Sequence, residues 1–203
     1  MTCQEAGGPP ILSGMTDVDH QTLWLQPHPA DTTPVLDRIA VDVACGGRQM
    51  RLTYRLEGPA DALRVPAPEE PVRADGLWQE TCCEAFLKAQ GGTSYYEVNL
   101  SPSGQWAVYR FDAYRTTMQP VDLGAAPVID CDALPDGLVL HATIDLSMLP
   151  PDFAAADWQL GLSCVVEGRT GARAFWALRH PPEKPDFHHD HCFAHKIRAA
   201  ERT

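Results

Sequence analysis

Punctuation by proline and glycine constrains this chain most. Eighteen prolines and 15 glycines are spread along 203 residues, and no stretch between them sustains a helical period. What remains are short apolar runs bounded by turn residues, the texture of strands joined by tight connections. In the clearest of them Met50, Leu52, Tyr54 and Leu56 alternate with polar partners, which is the period of a strand with one buried face. Cys45-Gly46-Gly47-Arg48, between the runs 38–44 and 49–56, reads as a hairpin turn. Further strands are expected at 23–28, 63–66, 81–88, 95–100, 105–114, 127–131, 138–145, 158–167, 173–179 and 192–197. Little helix is expected, a turn or so around 146–150. About ten to twelve strands without a βαβ pattern predict an all-β fold, an antiparallel β-sandwich of jelly-roll type.

Sandwiches of roughly 200 residues commonly form one domain. We therefore read 1–16 as a polar, flexible lead-in and 17–203 as a single domain. The formal net charge of −11 disfavours nucleic acid, whose binding needs a positive surface, and disfavours an anionic membrane. Met1 to Met15 has neither a basic nor an apolar leader pattern, and no apolar run reaches the roughly 18 residues of a span. A cytoplasmic location is the expectation. The seven cysteines are odd in number and scattered, which predicts free thiols packed as small hydrophobes.

Three segments concentrate aromatic and polar residues: 75–87, 95–106 and 175–189. A sugar site needs a flat aromatic face for the C–H surface of the ring and a few carboxylates, amides or imidazoles for its hydroxyls. Trp78 and Trp176 are the candidate apolar walls; Glu84, Glu97 and Asn99 are the candidate hydrogen-bonding groups, with His180 at the rim. Glu84 alternates in register with Cys82, Phe86 and Lys88, opposite Cys83, Ala85 and Leu87, so it points to a concave face. Trp106 and Trp158 are assigned to the core, where large aromatics dominate packing energy.

The same segments carry a resemblance. Leu77-Trp78-x-x-Thr81-Cys82-x-Glu84-x-Phe86-Leu87 is followed by Tyr96-Glu97-Val98-Asn99-x-Ser101-Pro102-x-Gly104-x-Trp106, then by Trp176-Ala177-Leu178-x-His180-Pro181 and Pro185-Asp186-Phe187-His188. Together they resemble the bacterial DOMON-like domains grouped with family 9 carbohydrate-binding modules, over about residues 23–197. The resemblance implies a β-sandwich whose relatives bind sugars or haem. It implies two clamping tryptophans, Trp78 and Trp176, with Glu84 as an acidic sugar ligand and Asn99 as an amide ligand. Glu97 departs from it, because the sugar-binding modules resemble Arg-x-Asn where this chain has Glu97-Val98-Asn99.

The leading expectation is a non-catalytic domain binding a small molecule, a sugar, with no required cofactor and no assigned oligomeric state. Other readings stay open. His180, His188, His189, His191 and His195, with Asp186, Asp190 and Cys192, offer ligand types suited to a bound metal ion, with His188, His189 and His191 as the candidate set. The resemblance also admits haem, with Met118 and the His cluster as axial candidates, or a degenerate module serving as a scaffold. No G-x-S-x-G, P-loop or G-x-G-x-x-G motif is present. Glu84 and Glu97 are the one carboxylate pair that could be asked to do glycosidase chemistry, unless Arg110 or Arg115 neutralises one of them.

Overall fold

The computed structural model describes residues 20–31, 35–59, 61–147 and 149–199. The expected lead-in, 1–16, lies outside them. Twelve antiparallel strands are present among the described residues, with a single five-residue helix. They are β1 (His20–Pro27), β2 (Arg38–Gly46), β3 (Gln49–Glu57), β4 (Cys82–Ala89), β5 (Tyr95–Leu100) and β6 (Trp106–Phe111). The second half supplies β7 (Gln119–Pro120), β8 (Val128–Leu134), β9 (Gly137–Asp145), β10 (Trp158–Glu167), β11 (Arg173–Ala177) and β12 (His195–Ile197), with α1 (Pro151–Ala155) between β9 and β10.

The strands form two layers joined along one side. The first runs β1-β2-β3-β9-β8; the second runs β7-β6-β5-β4-β10-β11, with β12 also on β10. β1 belongs to both: His20 to Leu25 pair with β2, while Gln26 and Pro27 pair with β11. β2 and β3 pair along their whole length around Gly47, whose φ of 57° suits the positive-φ position of a two-residue hairpin turn.

Between the layers sits the main core. β3 contributes Met50, Leu52, Tyr54 and Leu56, as its alternation predicts, and β4 contributes Cys83, Ala85 and Leu87. Trp106 and Trp158 lie there too. The α1 residue Phe153 closes one end: its ring meets Tyr96 edge-on at 5.0 Å and its carbonyl accepts the Trp158 indole N–H at 2.8 Å. The six cysteines among the described residues are free thiols, five of them buried.

The layers differ on their outer faces. β3 alternates between buried and half-buried residues, whereas β4 and β5 are buried on both sides. A second apolar cluster explains the difference: Phe187 and Phe193, from the segment after β11, pack over Phe86, Tyr95, Tyr109 and Phe111. Residues 63–66 do not form the expected strand and contribute a single bridge, Leu63 to Gly168. The strand expected at 192–197 begins only at His195, because Asp190–Cys192 forms a 3₁₀ turn. The helix falls after 146–150, with Pro151 in its first turn, where a missing N–H costs nothing.

Candidate functional site

The outer face of the second layer carries the site. Register places Glu84 opposite Asn99 on one side and Ser163 on the other, and Phe86 opposite Glu97. Glu97 is opposite Tyr109, Tyr95 opposite Phe111, and Val165 opposite Phe175, so all these side chains leave the sheet on one face. Over them bend the loop after β6, which brings Arg115, and the segment 185–188. They enclose a cavity of about 390 Å³. Its floor holds Glu84, Glu97 and Val165; its walls include the rings of Trp78, Phe111, Phe175 and Phe187.

Trp78 is placed by a short 3₁₀ turn, Leu77–Gln79, entered through Gly76. Gly76 has a φ of 78°, a conformation that side-chain-bearing residues rarely adopt. The Trp78 ring meets Tyr109 edge-on at 5.9 Å. Tyr109 in turn donates to Asp75, which Arg73 holds at 2.6 Å while its guanidinium lies 5.4 Å over the tyrosine ring.

Both floor carboxylates are desolvated: Glu84 is 2% exposed and Glu97 5%. Glu84 accepts the Ser163 hydroxyl at 3.0 Å, and Glu97 accepts the Asn99 amide at 2.8 Å. Burial pushes the Glu84 carboxyl well above the ordinary carboxylate range and the charge of Glu97 adds to this, against smaller opposing effects of Ser163 and Arg115. Burial raises Glu97 likewise, opposed by the Asn99 hydrogen bond and by Arg115. The pair therefore holds a proton near neutrality.

Beside them stands His188. Its Nδ1 is 2.8 Å from the Tyr95 hydroxyl, which itself accepts the Arg115 backbone N–H at 3.1 Å. Its other ring nitrogen, Nε2, faces Glu97 at 3.7 Å. Burial, then the charge of Arg115, push the His188 imidazolium down to about 4, so the ring is neutral at physiological pH. Asp186 ties the wall together. It accepts Arg115 Nη2 at 2.8 Å, the Tyr114 hydroxyl, and the His188 backbone N–H at 3.2 Å. Burial would raise its carboxyl, but the Tyr114 and Arg115 hydrogen bonds together hold it below the usual value. The loop that delivers Arg115 is strained: Arg115 and Thr117 adopt φ of 51° and 56°. Non-glycine residues in that region tend to cluster where function constrains the backbone.

Of the residues singled out in the sequence, Trp78, Glu84 and Glu97 come together on the cavity wall. Asn99 is fully buried behind them and reaches the cavity only through Glu97. Trp176 requires correction as a clamp. It is 2% exposed and lies in the core between the layers, because the pleat turns it away from the site and presents Phe175 instead. His180 is not on the wall either; its Nε2 donates to the Gln26 carbonyl at 2.8 Å and its ring packs 6.3 Å from Phe187.

The His-rich segment also sorts differently. His188 enters the cavity, while His189 and His191 pair with each other, rings 4.6 Å apart, at the start of the 3₁₀ turn. Among the described residues no group of three or more His, Cys, Asp and Glu side chains is placed to hold a metal ion, so His188, His189 and His191 do not form a set. Met118 and His188 do line the same cavity. They do not fit haem, since His188 turns Nε2 to Glu97 and the floor beneath would set two buried carboxylates against the macrocycle. Phe111, Arg115 and Phe187 complete the site without having been singled out as binding groups. Phe187 and Arg115 act through loops whose docking no periodicity reveals.

The fold is one that carbohydrate-binding proteins share, family 9 carbohydrate-binding modules among them. A candidate carbohydrate-binding protein from Bacteroides uniformis ATCC 8492 superposes with a TM-score of 0.62 at 16% identity, over 85% of this chain and 84% of that one. A family 9 module from Caldicellulosiruptor kristjanssonii in complex with glucose gives 0.54 at 16% identity, over 94% and 91%. A family 9 module from that organism in complex with cellotriose gives 0.51 at 16% identity, over 85% and 81%. No protein-family model and no curated protein matches the chain.

Proposed function

We propose that the cavity on the outer face of the second layer binds a small saccharide without turning it over. The observation that carries this reading is the pairing of floor and wall: two buried carboxylates, Glu84 and Glu97, beneath the rings of Trp78, Phe111, Phe175 and Phe187. Carboxylates accept from sugar hydroxyls, and the rings cover the apolar C–H surface. The volume of about 390 Å³ falls within the range of small-ligand sites, roughly 300–1,000 Å³. Proteins of this fold with glucose or cellotriose bound support the ligand class.

Fluorescence provides the test. Of the five tryptophans, only Trp78 lines the cavity. Titration with mono- and disaccharides should give a saturable change in emission that disappears in Trp78→Ala and weakens in Phe175→Ala, both variants keeping their far-UV circular dichroism. A folded protein that responds to no saccharide would overturn the reading.

A further inference from the structure

The charges around the cavity narrow the ligand class. Among the described residues neither floor carboxylate is hydrogen-bonded to a cation; the charge of Arg115 acts on both only from the cavity wall. Their donors, the Ser163 hydroxyl and the Asn99 amide, are both neutral. Among the described residues no Lys or Arg nitrogen lies within 4.0 Å of either carboxylate, and His188, with Nε2 at 3.7 Å from Glu97, is a neutral ring.

The cations nearby are committed elsewhere or lie outside. Arg115 spends Nε and Nη2 on Asp186, at 3.2 and 2.8 Å. Lys88, on the same face of β4 as Glu84, is paired with Asp190 at 2.7 Å and lies 4.5 Å over the Phe193 ring. Arg73 is held by Asp75. Arg173, from β11, is exposed at the rim. The neighbouring Tyr54, Cys82, Tyr95 and Tyr109 carry no positive charge. A buried carboxylate without a countercharge is costly in its ionised form, and the unliganded site meets that cost by retaining a proton.

We propose that the cavity selects a saccharide carrying an ammonium group, an amino sugar, and seats that cation between Glu84 and Glu97. The proposal rests on the saccharide reading and deepens it. An ammonium offers three N–H donors and no acceptor, which suits a floor made of acceptors. Its positive charge stabilises both carboxylates as anions, so binding near neutral pH expels the proton held by the pair. A neutral sugar bonds to the floor without displacing that proton. An acidic sugar meets repulsion.

Titration calorimetry near pH 7 separates these cases, using glucosamine, glucose, N-acetylglucosamine and glucuronic acid in two buffers of different ionisation enthalpy. Glucosamine should bind at least about tenfold more tightly than glucose, as expected for a charge-assisted contact. Its apparent enthalpy should depend on the buffer in the sense of proton release. N-Acetylglucosamine, which keeps the ring and loses the charge, should lose the advantage. In Glu84→Gln and Glu97→Gln the ratio of glucosamine to glucose affinity should fall towards one and the proton release should collapse. Equal binding of glucose and glucosamine, or preference for glucuronic acid, would overturn the amino-sugar assignment and leave the saccharide reading standing. Absence of binding by all four sugars to folded protein would overturn both.

Discussion

Asn99 faces Glu84 directly across β4 and β5, yet donates its amide to Glu97, two residues along its own strand, at 2.8 Å. Glu84 is left with the Ser163 hydroxyl from the strand on its other side. The two acids of one floor are thus supported from different strands. Asn99 is a positioning residue that sets the direction of Glu97 and never meets the cavity itself.

Stability should respond to this arrangement. The folded state raises the carboxyls of Glu84 and Glu97 above the free-glutamate value of 4.5, so it holds more protons than the unfolded chain above that pH. The stability due to these protons is full below about pH 4.5 and is lost as pH rises into the neutral range. Glu84→Gln keeps an acceptor for Ser163 and cannot ionise. Thermal melts at pH 5 and pH 8 should show the variant gaining on the parent at the higher pH, by on the order of 1–3 kcal/mol. A parent and variant that shift in parallel would mean that Glu84 is ionised in the folded state.

Trp176→Ala should act on the fold. The side chain lies in the core between the layers, so its removal leaves a cavity and costs about 3–5 kcal/mol. Chemical denaturation should report that loss. Any variant protein that remains folded should bind saccharide with parental affinity, in contrast to Trp78→Ala.

Asp186→Ala should loosen the cavity wall. The substitution removes the acceptor for Arg115, Tyr114 and the His188 backbone, and the backbone strain at Arg115 and Thr117 is then no longer offset. Hydrogen exchange followed by mass spectrometry should show faster exchange at 112–118 and 185–189, with β2 and β3 unchanged. Saccharide affinity should fall about tenfold, as expected when a partly buried ion pair that positions a site is broken.

The sequence made parts of this site legible and hid others for physical reasons. β3 could be read from alternation because only one of its faces is buried. β5 and β10 were bounded correctly by their flanking polar and turn residues, although both are buried throughout or nearly so. Glu84 could be placed on the face of Cys82 and Phe86 because a glutamate amid apolar residues marks its own side. Phe175 and Trp176 carry no such mark. Both are aromatic, the strand has apolar residues on both faces, and the larger ring was the natural candidate; register across β10 decides otherwise. The His cluster looked like a ligand set because its members are close in sequence. A 3₁₀ turn at Asp190–Cys192 separates their directions, and His188 is claimed by Tyr95, 93 positions away. Contacts at such separation leave no local pattern.

The strand shared by both layers has a consequence for how this molecule can change. The cavity floor is assembled from β4, β5 and β10, all within one layer, and its lid comes from loops outside the sandwich. β1 acts as the spine of a book whose inner pages carry the core, while the text read by the ligand is printed on one cover. Lineages could rewrite that cover, residue by residue, with the binding of the pages untouched.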